Sequence, residues 1–133
     1  MRSLQVFLHR DDGSAAAEFV MVSALLTVLT LSVLQLALAL HIRNTVLDAA
    51  SEGARFAALA DNGLGDGVTR ARDLITVALG AGYASDVTAS YGSYLGHPAA
   101  IVTVHTPLPL VGLVGIDGGL EVAGHAAVET LGD

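Results

Sequence analysis

Residues 13–42 read GSAAAEFVMVSALLTVLTLSVLQLALALHI, and this stretch decides the fold. From Phe19 to Ile42 it holds no Asp, Glu, Lys or Arg, and neither Pro nor Gly interrupts it. A helix of these 24 residues would be about 36 Å long, enough to cross the hydrocarbon core of a bilayer. Its Ser and Thr side chains can return hydrogen bonds to the helix backbone. The stretch therefore predicts a transmembrane helix over residues 19–42.

The residues that flank the apolar run bear on its orientation and processing. Arg2 and Arg10 precede it, and positive charge beside a membrane span favours a cytoplasmic N-terminus. A secretory signal peptide cut near Ala37–Ala39 and an uncleaved membrane anchor are the alternatives. The run is longer than the apolar region of a usual signal peptide, about 7–15 residues. Three acids also stand before it, which further disfavours the signal peptide.

The composition of the whole chain excludes several classes of function. Hydrophobic residues make up 53% of the 133 positions and charged residues 14%, so part of the chain must lie in lipid or against a partner. Six arginines against 13 acids give a net charge of −7, which argues against nucleic acid as a ligand. Because the chain has no Cys, it has no disulfide, thiolate nucleophile or Cys-based zinc site.

Glu18 stands directly before the apolar run, behind Ser14 and three alanines. A lone carboxylate at the edge of a membrane helix is costly unless it has a partner. If the chain were cut between Gly13 and Ser14, the new α-amino group of a neighbouring subunit would supply the positive charge. Such a pair, desolvated while parallel apolar helices bundle, would fix their axial register.

The helix has no stop signal after Ile42 until Asp61-Asn62-Gly63, where Asn and Gly can adopt the left-handed conformation of a C-terminal cap. One helix from about Ala15 to Ala60 is predicted, and half of it would stand outside the membrane. Glu52 and Arg55 are three residues apart and can pair, as a solvated surface pair. Small residues at helical spacing would let another element approach the helix backbone; they include Val46, Ala49, Ala50, Gly53, Ala54 and Ala57.

Residues 62–133 are too few for a large core of their own and are expected to pack on these small residues of the long helix. After a turn over residues 62–67, apolar residues from Val68 to Leu79 follow at helical spacing and predict a short second helix with Asp66 near its start. Three segments in which residues alternate along the chain in the manner of strands, with one apolar face, follow around residues 87–91, 100–105 and 120–129. Three to four short strands predict an antiparallel sheet with its apolar side on the helices, an α+β fold.

Residues 107–116, between the last two strand patterns, hold too many apolar side chains for an exposed loop. Two alternatives remain open for this segment. It either folds over the sheet edge and completes the core, or contacts a neighbouring subunit or the membrane surface.

No constellation of residues predicts catalysis, a cofactor or a metal site. The glycines of residues 63–67 follow a helix and match neither the dinucleotide nor the P-loop spacing. Asp61, Asn62 and Asp66 could supply oxygens for calcium but lack a full ligand set. His97, His105 and His125 have no metal-ligand spacing, and His105 and His125 could at most face each other across paired strands. We therefore predict no enzyme, no cofactor and no small-molecule substrate.

The segment Gly13-Ser14-Ala15-Ala16-Ala17-Glu18-Phe19, followed by the apolar run, resembles the class III signal of type IV pilins. Together with residues 49–58, AASEGARFAA, it resembles the TadE-like minor pilins (pseudopilins) of tight-adherence (Tad) pili. Ser51 stands where that family usually has Arg, and the apolar run lacks Pro. The resemblance implies cleavage after Gly13 by a prepilin peptidase, and a register role for Glu18 and Phe19. It also implies a helix-packing motif formed by Ala50, Glu52, Gly53, Ala54 and Arg55.

The resemblance further implies that the chain is a structural subunit of a pilus and a single-pass protein of the bacterial cell membrane. Its leader would be residues 1–13, its long helix residues 14–61, and its extracytoplasmic domain residues 62–133. Its partners would be the prepilin peptidase, other pilin subunits, the Tad assembly platform and the membrane. The alternative function is a signal-anchored adhesive or binding module that never assembles.

Overall fold

The computed structural model describes residues 2–108 and 119–129, with side chains from Gly13 onward within those ranges. Helix α1 spans Arg2–Ala58. It begins before the predicted start near Ala15, because residues 2–12 contain neither Pro nor Gly and nothing there breaks a helix. By their contacts, residues 1–37 form one compact unit and residues 38–133 another.

The predicted glycine-type cap at the end of α1 was wrong. Gly63 is extended, with φ −132°, and Asn62 is not in the left-handed region. Instead, the Asn62 side-chain amide donates a 3.0 Å hydrogen bond to the carbonyl oxygen of Phe56. The backbone N–H of Glu129 also donates to the carbonyl oxygen of Ala58, at 3.0 Å. Both bonds satisfy carbonyls that a helix end leaves without intrahelical partners.

Helix α2 spans Leu64–Leu79 and is amphipathic, with Gly67, Ala71 and Ile75 buried on one face. It starts inside the segment that was predicted to be a turn. The reason is a cap: the backbone N–H of Gly63 donates to the Asp66 carboxylate at 2.8 Å, which stabilises the first turn despite its glycines. Gly80, with φ 107°, ends the helix, and a short 3₁₀ turn, Ala81–Tyr83, follows.

Three antiparallel strands follow: β1 (Asp86–Tyr94), β2 (His97–Thr106) and β3 (Leu120–Ala127), in the order β1-β2-β3. Leu95 and Gly96 connect β1 to β2, and both have positive φ, as the favoured two-residue hairpin turn requires. In the registers, Asp86 lies opposite His105, and His105 lies opposite Glu121. The predicted α+β class, with two helices and an antiparallel sheet, is confirmed.

The core lies between one face of the sheet and the two helices. Val46 of α1, Ile75 of α2 and Val102 and Val104 of β2 are fully buried in it. The one buried polar side chain among the described residues, Thr106, donates to the carbonyl oxygen of Tyr83 at 3.1 Å. Leu108 also packs on this core, whereas residues 109–116 of the predicted apolar loop lie outside the described residues.

Candidate functional site

In the first unit, the side chains around the predicted cleavage and register positions are open to solvent. Gly13, Ser14 and Glu18 are exposed, and Phe19 is 73% exposed. Within the described part of the chain, no ion pair engages Glu18. These positions are therefore accessible to a peptidase or to another subunit.

Large apolar side chains from Phe19 to Leu40 are exposed along α1. Two of the hydroxyls among them bond to the helix backbone: Thr27 donates to the Ser23 carbonyl at 2.8 Å and Ser32 to the Val28 carbonyl at 2.7 Å. This confirms the hydrogen bonding expected of Ser and Thr in an apolar span. Gly13–Ala58 is the one described helix that is long and apolar enough to cross a membrane. Exposed apolar area of this size requires lipid or a partner.

In the second unit, two helices cross at a pair of glycines. A Cβ added at Gly53 would lie 2.7 Å from the carbonyl oxygen of Gly67 and 2.9 Å from the Cβ of Ala71. A Cβ added at Gly67 would lie 2.6 Å from the Cβ of Ala57. Because both residues lack a side chain, the two backbones come into direct contact.

A third glycine brings the sheet close to the backbone of the same helix segment. A Cβ at Gly124 of β3 would clash with backbone atoms of Ala50 and Ser51. Ala50 and Ala54 are fully buried beside this contact. The small residues of α1 are therefore covered by the chain's own sheet and second helix. Sequence reasoning missed Gly67 and Gly124, although a lone glycine inside a strand pattern signals close backbone approach.

Glu52 and Arg55 do not form the predicted pair. Within the described residues, the ion pair of Glu52 is to Arg70 of α2, at 4.0 Å, with both side chains about half exposed. The packing of α2 places Arg70 across from Glu52, and Arg55 points to solvent. An exposed pair of this length contributes little to folding stability.

Several of the polar residues considered for metal binding contact other groups. The Asp66 carboxylate accepts from the Gly63 N–H, so it belongs to a helix cap. His125 lies opposite Ile101 rather than His105, so the two histidines do not face each other; its ring stacks on Tyr94 with centroids 4.5 Å apart. His105 lies between carboxylates, 3.6 Å from Asp86 and 3.4 Å from Glu121. No group of three or more His, Cys, Asp or Glu among the described residues could hold a metal ion.

The family model of the TadE-like proteins matches residues 13–55. Residues 13–55 of this chain are TadE-like. The TadE-like segment begins at Gly13 and ends at Arg55, so it contains the first motif and residues 49–55 of the second, and the resemblance is confirmed. No curated protein and no solved structure matches the chain. A TadE-like segment on an apolar helix that can span a membrane fits a membrane-anchored protein associated with the Tad pilus.

Proposed function

We propose that this chain is a structural minor pilin or pseudopilin of a Tad-type pilus. It enters the membrane as a prepilin, is cleaved between Gly13 and Ser14, and is incorporated into the filament or starts it. The observation that carries the proposal is the TadE-like match over residues 13–55, which starts at the glycine of the cleavage motif. The exposure of Gly13 and Ser14 supports access by a prepilin peptidase.

In this proposal, Glu18 and Phe19 set the register of the assembled helices. The α-amino group exposed at Ser14 of one subunit pairs with the Glu18 carboxylate of a neighbour. The pair is desolvated among apolar side chains, where an unpaired carboxylate would be costly. The exposed apolar side chains between Phe19 and Leu40 provide the surface that lipid covers before assembly and other pilin helices cover afterwards.

The proposal also assigns roles to the other segments of the chain. Residues 1–13 are the leader, with the N-terminus cytoplasmic, and residues 62–133 form the extracytoplasmic domain. The motif of Ala50, Glu52, Gly53, Ala54 and Arg55 holds that domain on the helix. The partners are the prepilin peptidase, other pilin subunits and the Tad assembly platform. The role is structural and requires no catalysis or cofactor.

The N-terminus of the mature protein tests the proposal directly. The chain is extracted from membranes of cells that express the complete pilus system, and its N-terminus and intact mass are measured. A chain that begins at Ser14 is expected. A chain that keeps Met1, or begins near His41, contradicts the proposal and favours a signal-anchored binding module or a cleaved signal peptide. A Gly13→Leu variant is the control and should retain the leader.

The register role of Glu18 has a separate test. Glu18→Ala should leave membrane insertion unchanged, because removing a charge beside the apolar run does not hinder insertion. Incorporation into sheared filaments should be lost, since the α-amino group would have no partner. Glu18→Gln separates the charge from the side-chain volume and should fail in the same way. Normal incorporation of both variants would contradict the register role.

A further inference from the structure

The link between α1 and α2 contains the dipeptide Asn62-Gly63. Asparagine is a chemically labile residue, and a following glycine favours loss of its side-chain amide because glycine has no side chain to hinder its backbone nitrogen. The chain's other asparagine, Asn44, lies inside α1 and is followed by β-branched Thr45. Asn62 and Gly63 are each half-buried, so water reaches both. Asn62 is therefore the position at which this chemistry is expected.

Loss of the amide joins the backbone to the side chain for a time. The backbone nitrogen of Gly63 gives its proton to a base in the solvent and bonds to the side-chain carbonyl carbon of Asn62. The bond from that carbon to the amide nitrogen breaks, and the nitrogen takes a proton and leaves as ammonia. Water then opens the succinimide ring at either carbonyl and gives aspartate or isoaspartate. The net exchange of ammonia for water transfers no electrons and adds about 1 Da.

In the folded chain, hydrogen bonds engage both reacting groups. The backbone N–H of Gly63 donates to the Asp66 carboxylate at 2.8 Å, and a negative charge beside this N–H opposes the loss of its proton. The side-chain amide nitrogen of Asn62 donates to the carbonyl oxygen of Phe56 at 3.0 Å, which holds that side chain on the end of α1. A Cβ added at Gly63 would meet only the Asp66 carboxylate, at 3.8 Å. Hydrogen bonds, rather than crowding, therefore hold the dipeptide in place.

We propose that Asn62 is a latent deamidation site, which the cap formed by Asp66 keeps unreactive until the first turn of α2 opens. The attacking nitrogen becomes free only when its bond to Asp66 breaks. The rate of deamidation then follows the population of the opened turn. The inference goes beyond the proposed function and does not depend on it, because it uses only contacts within the link between α1 and α2.

Deamidation loosens the end of α1. A carboxylate at position 62 accepts hydrogen bonds but cannot donate one to the Phe56 carbonyl. Its negative charge also stands at the carbonyl end of the helix, where it is unfavourable. Asn62→Asp copies one of the two products, so it should raise hydrogen exchange at the Leu59 amide, which donates to the same Phe56 carbonyl. Exchange in β2 should stay unchanged, and an unchanged Leu59 amide would contradict the loosening.

Intact mass and peptide mapping of the full-length chain in detergent test the site. The chain is incubated in mildly alkaline buffer, folded or in urea, and the rate at which residue 62 gains about 1 Da is measured. The folded chain should react at least about tenfold more slowly than the unfolded one. Gly63→Ala in urea is the matched control and should react far more slowly, because it adds a methyl group beside the attacking nitrogen. Equal rates for the folded and unfolded chain, or a gain that maps to Asn44, would overturn the proposal.

Two substitutions test the protection by the cap. Asp66→Ala removes the acceptor and should raise the rate in the folded chain about fivefold. Asp66→Glu supplies the acceptor that capping boxes commonly use at this position and should keep the rate close to that of the unsubstituted chain. In urea all three chains should react alike. A folded Asp66→Ala chain that reacts no faster than the unsubstituted chain would overturn the role of the cap.

Hydrogen exchange of the Gly63 amide in the unsubstituted chain is a second measure, and it holds even where Asp66→Ala fails to fold. The protection of this amide should match the slowing of deamidation by folding within about threefold, because both report the opening of one turn. A Gly63 amide that exchanges freely while Asn62 stays unreactive would overturn the protection by Asp66.

Discussion

Along α1, residues 19–40 and residues 42–58 differ in side-chain size and in what covers them. The first segment carries large apolar side chains, such as Leu25 and Leu29, that are exposed. The second carries alanines and Gly53, which are buried under α2 and the sheet. Burial in lipid or against a partner is most favourable in free energy for large apolar side chains, whereas small side chains allow two backbones to touch. The size of the side chains therefore distinguishes the part of the helix that the chain covers itself from the part left for other molecules.

The largest expected effect comes from filling the contact between β3 and α1. Gly124→Ala places a Cβ against backbone atoms of Ala50 and Ser51, which cannot rotate away as a side chain can. The domain should lose about 3 kcal/mol or more of unfolding free energy, measured by urea unfolding of the detergent-solubilised protein. Gly65→Ala is the matched control, since a Cβ there meets nothing within 4 Å and improves helix propensity by about 1 kcal/mol. Equal stability of the two variants would contradict this account.

The sequence predicted the helices, the three strands and the faces they bury, because apolar residues at helical or alternating spacing report burial directly. It did not predict that residues 64–67 are helical, since their glycines disfavour a helix and only the cap at Asp66 stabilises it. Nor did it predict the partner of Glu52. Spacing along one helix pointed to Arg55, and the tertiary packing of α2 brought Arg70 instead. Local patterns thus gave the elements, and the contacts between elements required the structure.

A loss of similar size is expected from removing apolar volume in the second unit, and none from the same change in the first. Ile75 is fully buried between α2, α1 and the sheet, so Ile75→Ala should cost about 2–5 kcal/mol. Leu29→Ala in the exposed segment should change the unfolding of the domain by less than about 0.5 kcal/mol. Urea unfolding of both variants checks the difference. A comparable loss from Leu29→Ala would mean that the exposed segment also stabilises the domain.

Filling the helix crossing should have an intermediate effect. Gly53→Ala puts a Cβ 2.7 Å from the Gly67 carbonyl oxygen and 2.9 Å from the Cβ of Ala71, so α2 has to move outward. Overpacking of this kind costs about 1–3 kcal/mol, and the better helix propensity of Ala offsets about 1 kcal/mol of it. Hydrogen exchange of the α2 amides should rise more than that of β2, because the contact between the helices is the one that opens. Uniform exchange across both elements would contradict a local effect.

The smallest effect is expected at the ion pair that joins the same two helices. Glu52 and Arg70 are 4.0 Å apart and about half exposed, so water and salt screen their attraction. Glu52→Gln should therefore cost no more than about 0.5 kcal/mol of unfolding free energy, and raising the salt concentration should remove even that difference. Arg70→Gln, measured in parallel, should give the same small loss. A loss above about 1 kcal/mol in either variant would mean that charge attraction holds α2 on α1, and that the contact of Gly53 with Gly67 is not what positions the two helices.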